Sequence, residues 1–130
     1  MNSPTHFKTA VPQFTVPDLV GTAEYYRDVL GFEIAGYWQS PPVFAIVQRD
    51  QVELFFNRAD GSTPRSGRAR GAYDAYFHIA GVEALASELR QRGADIIDGP
   101  ERRIYGQREL VVRDCNGLVL AFGEATSDAE

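Results

Sequence analysis

The chain repeats one layout. Val16-Pro17-Asp18-Leu19 opens a helical stretch that closes at Leu30-Gly31-Phe32, and short β-like runs follow. About sixty residues later Ala80-Gly81-Val82-Glu83-Ala84-Leu85 opens a second helix, which closes at Arg92-Gly93 and again gives way to β-like runs. A repeat of this size constrains the fold more than any local propensity does. Two similar β-α-β units can pair their strands, and the paired strands then curl around a shared pocket.

Composition sets the outer limits. With 130 residues, 44% of them hydrophobic and 24% charged, the chain reads as one globular domain with a real core. A net charge of -5 speaks against nucleic acid as a partner, since such proteins carry a basic face. It agrees with a cationic small-molecule ligand. No apolar run approaches the length of a membrane span, so no membrane partner is expected. The N-terminus shows no basic segment followed by an apolar stretch, which makes the cytoplasm the expected compartment. The single cysteine, Cys115, excludes an internal disulfide and gives no basis for a cysteine-built zinc site.

Residues 1–9 form a polar tail, 10–124 the domain and 125–130 a second tail. Within the domain, a first module spans about residues 10–57 and a second about 72–124. Val11 to Val16 reads as a strand with Phe14 and Val16 on one face and Val11, Gln13 and Thr15 on the other. Pro12 cannot donate a ladder hydrogen bond, so this strand begins there or lies at an edge. A helix from Asp18 to Leu30 buries Leu19, Ala23, Tyr26 and Leu30, with Asp18 as N-terminal cap and Gly31 as the stop. Phe32 to Trp38, Val43 to Gln48 and Gln51 to Asn57 read as strands, the first broken by Ser40-Pro41-Pro42. The segment 58–71, rich in glycine and arginine, reads as a solvated connector, with a phosphate clamp or lid as the alternative. In the second module Tyr73 to Ile79 alternates Ala75, Phe77 and Ile79 against Asp74, Tyr76 and His78. A helix over Val82 to Arg92 follows, then a short strand over Ala94 to Ile97 ended by a break at Gly99-Pro100. A terminal hairpin, Arg108 to Arg113 and Leu118 to Gly123, turns at Asp114-Cys115-Asn116-Gly117, where Asn-Gly tolerates positive φ. The fold class is therefore α+β: two βαβββ modules forming a curled mixed sheet around a pocket.

Three stretches carry a family resemblance: VPQFTVPDLVGTAEYYRDVLGF, GVEALASELRQRGAD and YGQRELVVRDCNGLVLAFGE. In this order, over most of residues 10–124, they resemble the vicinal oxygen chelate superfamily of glyoxalases, ring-cleaving dioxygenases and bleomycin-resistance proteins. The resemblance is nearest to the bleomycin-resistance proteins, although Leu110 stands where phenylalanine is usual and Cys115 replaces a turn proline. Cys115 as a catalytic thiol is a sharper reading than a plain turn substitution, but no basic titratable residue adjoins it in sequence.

The resemblance implies positions for a divalent metal in the enzymatic relatives: Val11, Glu53, Asp74 and Ala121 in this chain. Val11 and Ala121 have no donor atom, so no metal or other cofactor is expected. A shifted site of Gln13, Glu53 and Asp74 or His78 would move donors by about 6 to 7 Å along each strand. The ligand-binding residues are then expected to be Gln13, Trp38, Glu53, Phe55, Asp74, Tyr76, His78, Tyr105 and Arg108, with Val11, Thr15 and Tyr37 near them. Aromatic faces interleaved with acids suit a flat, partly cationic ligand. The expected function is metal-free sequestration of such a ligand, and the resemblance implies a homodimer with pockets near the subunit boundary. Pro12 would suit an arm that pairs with the partner chain. The alternative is a metal-dependent lyase, isomerase or dioxygenase on the shifted site; an enzyme reading takes Glu53 or Asp74 as base and His78 as its partner.

Overall fold

The computed structural model describes residues 4–59 and 72–126. Each half runs β-α-β-β-β. The first comprises β1 (Gln13–Val16), α1 (Leu19–Asp28), β2 (Glu33–Trp38), β3 (Phe44–Arg49) and β4 (Val52–Arg58). The second comprises β5 (Ala75–His78), α2 (Val82–Arg92), β6 (Asp95–Arg102), β7 (Gln107–Arg113) and β8 (Val119–Ala125). The repeat seen in the sequence is thus a repeat of topology, with sheet orders β1-β4-β3-β2 and β5-β8-β7-β6. In each, the first strand pairs parallel with the last and the other pairs are antiparallel.

One expectation changes in form. Among the described residues the strands make two four-stranded sheets that are not hydrogen-bonded into a single one. Side chains hold the halves together instead. Leu54 and Phe56 of β4, Ala45 and Val47 of β3, Leu120 and Phe122 of β8 and the buried stripes of both helices form one core. Polar ties reinforce the junction at its rim. The Arg49 guanidinium pairs with Glu88 at 2.7 Å, and Arg92 donates to the Asp28 carbonyl at 3.1 Å.

Local chemistry sets the element ends. Asp18 caps α1 by accepting from the Gly21 amide at 2.9 Å, and Gly31 takes φ 78° where the chain leaves the helix. The helix α2 has no side-chain cap of its own. Glu124, reaching across from β8, takes the Gly81 and Val82 amides at 3.0 Å each.

Gly99-Pro100 does not end a strand, as the sequence had suggested. β6 runs through it with register shifts on either side of Asp98. Gly99 holds φ 82°, and a Cβ there would collide with the Glu109 carbonyl, so the chain passes only because the residue is glycine. The connector expected over 58–71 lies outside the described residues, apart from Arg58 in β4 and Ala59. The second tail also starts later than expected: Ala125 belongs to β8, and the Thr126 amide donates to the Gly106 carbonyl at 2.9 Å. Among the described residues no helix is long and apolar enough to cross a membrane.

Candidate functional site

Each sheet has one face against the helices and one turned away from them, and period-two alternation decides which residues occupy the latter. On the first sheet that face is aromatic. Trp38 packs edge-on to Phe44 with ring centres 5.6 Å apart, and Phe44 packs edge-on to Phe55 at 5.2 Å. Trp38 is 46% exposed and Phe44 and Phe55 are half-buried, so the ring chain lies open. The Trp38 ring folds back over Gly36, where a side chain would crowd it. Gln13 borders Phe55 across the parallel β1–β4 pair, its amide donating to Asn57 Oδ1.

The corresponding face of the second sheet is filled. At its centre lies Glu109, which the sequence reading missed and which is wholly inaccessible to solvent. Tyr73 donates to one carboxylate oxygen at 3.0 Å, Arg103 Nε donates to the same oxygen at 3.1 Å, and Tyr105 donates to the other. Arg103 also pairs with Asp98 at 2.7 Å and Glu101 at 3.3 Å. Burial alone would raise the Glu109 carboxyl, but hydrogen bonds from Tyr105, Tyr76, Arg103 and Tyr73 outweigh it and leave the group below the ordinary carboxylate range. The phenols move the other way. Burial first, then hydrogen bonding to Glu109, pushes Tyr105 up to about 12 and Tyr76 higher still, so these hydroxyls stay neutral donors.

Tyr76 reaches this cluster across Gly123, with its hydroxyl 3.4 Å from Gln107 Oε1. A Cβ at Gly123 would overlap both the Tyr76 hydroxyl and the Gln107 side chain. Gly123→Ala should therefore expel Tyr76 and lower the melting stability by about 1–3 kcal/mol, the usual range for overpacking. A calorimetric melt indistinguishable from wild type would show that Tyr76 is not held where the geometry places it.

One cavity lies beside these faces and another on the helix side. The first, of about 460 Å³, is lined by residues 9–12, 51–53 and 76–78. The other, of about 500 Å³, opens beside α2, with Leu30, Phe32, Phe77 and Leu85 among its apolar lining and the Arg49–Glu88 pair on its wall.

The sequence-predicted residues distribute unevenly over this geometry. Glu53, Tyr76 and His78 line the first cavity, and the Tyr76 and His78 rings lie 5.2 Å apart. Trp38, Phe55 and Gln13 share the open face of the first sheet, and Tyr105 belongs to the Glu109 cluster. Two residues do not join them. Arg108 pairs with Glu83 of α2, because strand alternation turns it to the helix side while Gln107 and Glu109 face away. Asp74 spends a carboxylate oxygen on the Val119 amide at 2.8 Å, tying β5 to β8. Cys115 is exposed at its turn, and desolvation followed by the Asp114 charge pushes its thiol up to about 11, away from a reactive thiolate.

A divalent metal does not fit the residues at the positions inferred from the resemblance. Val11 and Ala121 offer no donor, and Asp74 is engaged by backbone. Among the described residues no three His, Cys, Asp or Glu side chains converge, and the shifted alternative would have to draw Gln13 off Asn57.

No curated protein matches the chain by sequence. Solved structures do. TioX from Micromonospora sp. ML1 is 16% identical with a TM-score of 0.73, covering 92% of this chain and 99% of its own. TnmS3, an antibiotic binding protein from Streptomyces sp. CB03234, is 19% identical with a TM-score of 0.66, covering 94% of this chain and all 100% of its own. A glyoxalase/bleomycin resistance protein/dioxygenase from Nocardioides is 16% identical with a TM-score of 0.68, covering 98% of this chain and 89% of its own. Likeness at such identities shows a shared fold. The family is shown by a sequence model that matches residues 6–122. The chain belongs to the Glyoxalase/Bleomycin resistance protein/Dioxygenase superfamily.

Proposed function

We propose that this protein binds and sequesters a flat, partly cationic organic molecule in the cytoplasm, without a metal and without covalent chemistry, two copies of the chain completing the pocket. The observation that carries the reading is the open ring chain Trp38–Phe44–Phe55 on the sheet face away from α1. Large aromatic side chains left half-exposed in a contiguous run are what a planar ligand stacks on, and they are costly to leave in water. Acidic Glu53 on the same strand as Phe55 supplies charge complementarity for a cation. The description of TnmS3 as an antibiotic binding protein supports the same use of this fold. On this reading a second copy covers the first sheet, whose aromatic face one copy leaves open, while the second sheet's face is already filled by Tyr73, Tyr76, Tyr105 and Arg103.

The runner-up, a metal-dependent enzyme on the shifted site, would have to draw Gln13 off Asn57, and Ala121 on β8 still offers no donor. Metal analysis of the purified protein separates the two. Ni, Zn, Fe and Mn should all be well below one ion per chain, and EDTA should leave the melting temperature unchanged. Bleomycin, or another bound aromatic cation at about a hundred times its Kd, should stabilise the fold by about 2.7 kcal/mol. A stoichiometric ion that is lost in Glu53→Ala would overturn the proposal in favour of the enzyme.

A further inference from the structure

We propose that the cavity lined by residues 9–12, 51–53 and 76–78 is a separate subsite for an alkylated ammonium or guanidinium group, with Glu53 supplying the charge and the rings of Tyr76 and His78 the face. This rests on reading the chain as a ligand binder and adds where the ligand's positive charge goes.

Glu53 stands apart from the other acids that the fold draws inward. Glu88 holds two arginines, Glu109 is enclosed by phenols and Arg103, Glu124 caps α2, and Asp114 and Asp74 bind backbone amides. Glu53 is half-buried in a cavity wall, with neither an ion pair nor a hydrogen bond among the described residues. Its cross-strand neighbour on β3 is Gln48, which brings no charge. A partly desolvated carboxylate without a partner is a standing cost that an incoming cation relieves.

The rest of the lining says which cation. Tyr76 and His78 meet at 59°, so their faces form an angled corner. The Tyr76 hydroxyl is turned toward Gln107 and Glu109, and donating there makes its ring more electron-rich. Val11 and Pro12 supply apolar surface, which suits methyl or methylene groups on the cation and would waste a hydrated metal ion. Among the described residues no third His, Cys, Asp or Glu side chain joins Glu53 and His78, which falls short of a metal site. A volume of about 460 Å³ accommodates such a group with part of its chain.

Choline is the probe, and its uncharged isostere 3,3-dimethylbutan-1-ol the control, followed by NMR titration of the full chain. Choline should saturate with shifts centred on Glu53, Tyr76 and His78, and the isostere should bind at least about tenfold more weakly. Glu53→Gln, which keeps the side-chain shape, should erase that preference. Equal binding of choline and the isostere, no binding of either, or an unchanged preference in Glu53→Gln each overturns the subsite. The broader reading fails separately. If choline fails while an aromatic ligand still perturbs Trp38, only the subsite falls. If choline binds at Glu53 and no aromatic ligand reaches Trp38, the subsite stands and the aromatic face loses its role.

Discussion

Asp114→Ala should lower the unfolding free energy by about 3–4 kcal/mol, although the residue sits in a hairpin turn and lines neither cavity. One carboxylate oxygen accepts the Asn116 and Leu118 amides at 2.8 and 2.9 Å and so builds the β7–β8 turn. The other accepts the hydroxyl of Tyr26 at 2.6 Å, and Tyr26 is entirely buried on α1. The side chain thus fastens the second module to the first through the centre of the shared core. Alanine removes all three acceptor contacts and strands a phenol where water cannot reach it. Tyr26→Phe should cost only about 1–2 kcal/mol, because it deletes one donor and keeps the ring packed against Phe32 and Phe56. Asp114→Asn should also be mild, since the amide oxygen can still receive the turn. Urea unfolding of the three variants checks the order. An Asp114→Ala loss no larger than that of Tyr26→Phe would mean that the turn does not depend on this carboxylate.

Glu109→Ala should cost about 3–5 kcal/mol by a different route, the loss of a buried ionic partner. It removes the acceptor shared by Tyr73, Tyr105 and Arg103 and leaves the guanidinium with only Asp98 and Glu101. Glu109→Gln keeps two hydrogen-bonding atoms and should lose less, but it removes the charge and with it a pH dependence. The folded Glu109 carboxyl titrates below its unfolded value, so its contribution is complete above about pH 4.3 and disappears as pH falls through the folded value. Asp114 acts with the opposite sign. Burial raises its carboxyl, so its contribution is greatest when it is protonated and declines as pH rises. Wild-type stability should therefore fall more steeply than that of Glu109→Gln as pH drops below about 4. Parallel acid curves for the two proteins would show that Glu109 does not carry that charge into the fold.

Much of this arrangement is legible in the sequence because it depends on short-range chemistry. The second helix is read at Val82–Arg92, the bounds it has in the fold, since its apolar spacing and the glycines at either end are all local signals. Two-residue alternation likewise puts Glu53 and Phe55, and Tyr76 and His78, on faces turned from the helices. The site departs from the sequence reading where distant segments decide. Glu109 looks like an ordinary strand charge between Arg108 and Leu110; what buries it is the turn carrying Arg103 and Tyr105 together with two tyrosines near β5. A signal was available, in that Tyr73, Tyr76 and Tyr105 all bring hydroxyls that need an acceptor. The same alternation rule applied to β7 would have turned Arg108 toward α2. Asp74 lies beyond such rules, because its bond to the Val119 amide depends on the β5–β8 register, which no local pattern fixes. Gly99 is similar: only the close approach of the Glu109 carbonyl shows why the strand continues where Gly-Pro suggests a stop.

Trp38 is the only tryptophan in the chain, and it lies at the open end of the aromatic run, so its fluorescence reports directly on the face where a ligand should stack. Titration with bleomycin and with ethidium, each with and without EDTA, tests metal-free binding at that face. The expected result is a saturable change in Trp38 emission with at least one of them, insensitive to the chelator and lost when Phe55 is replaced by alanine. Binding that leaves Trp38 emission untouched, or that disappears with EDTA, would contradict it.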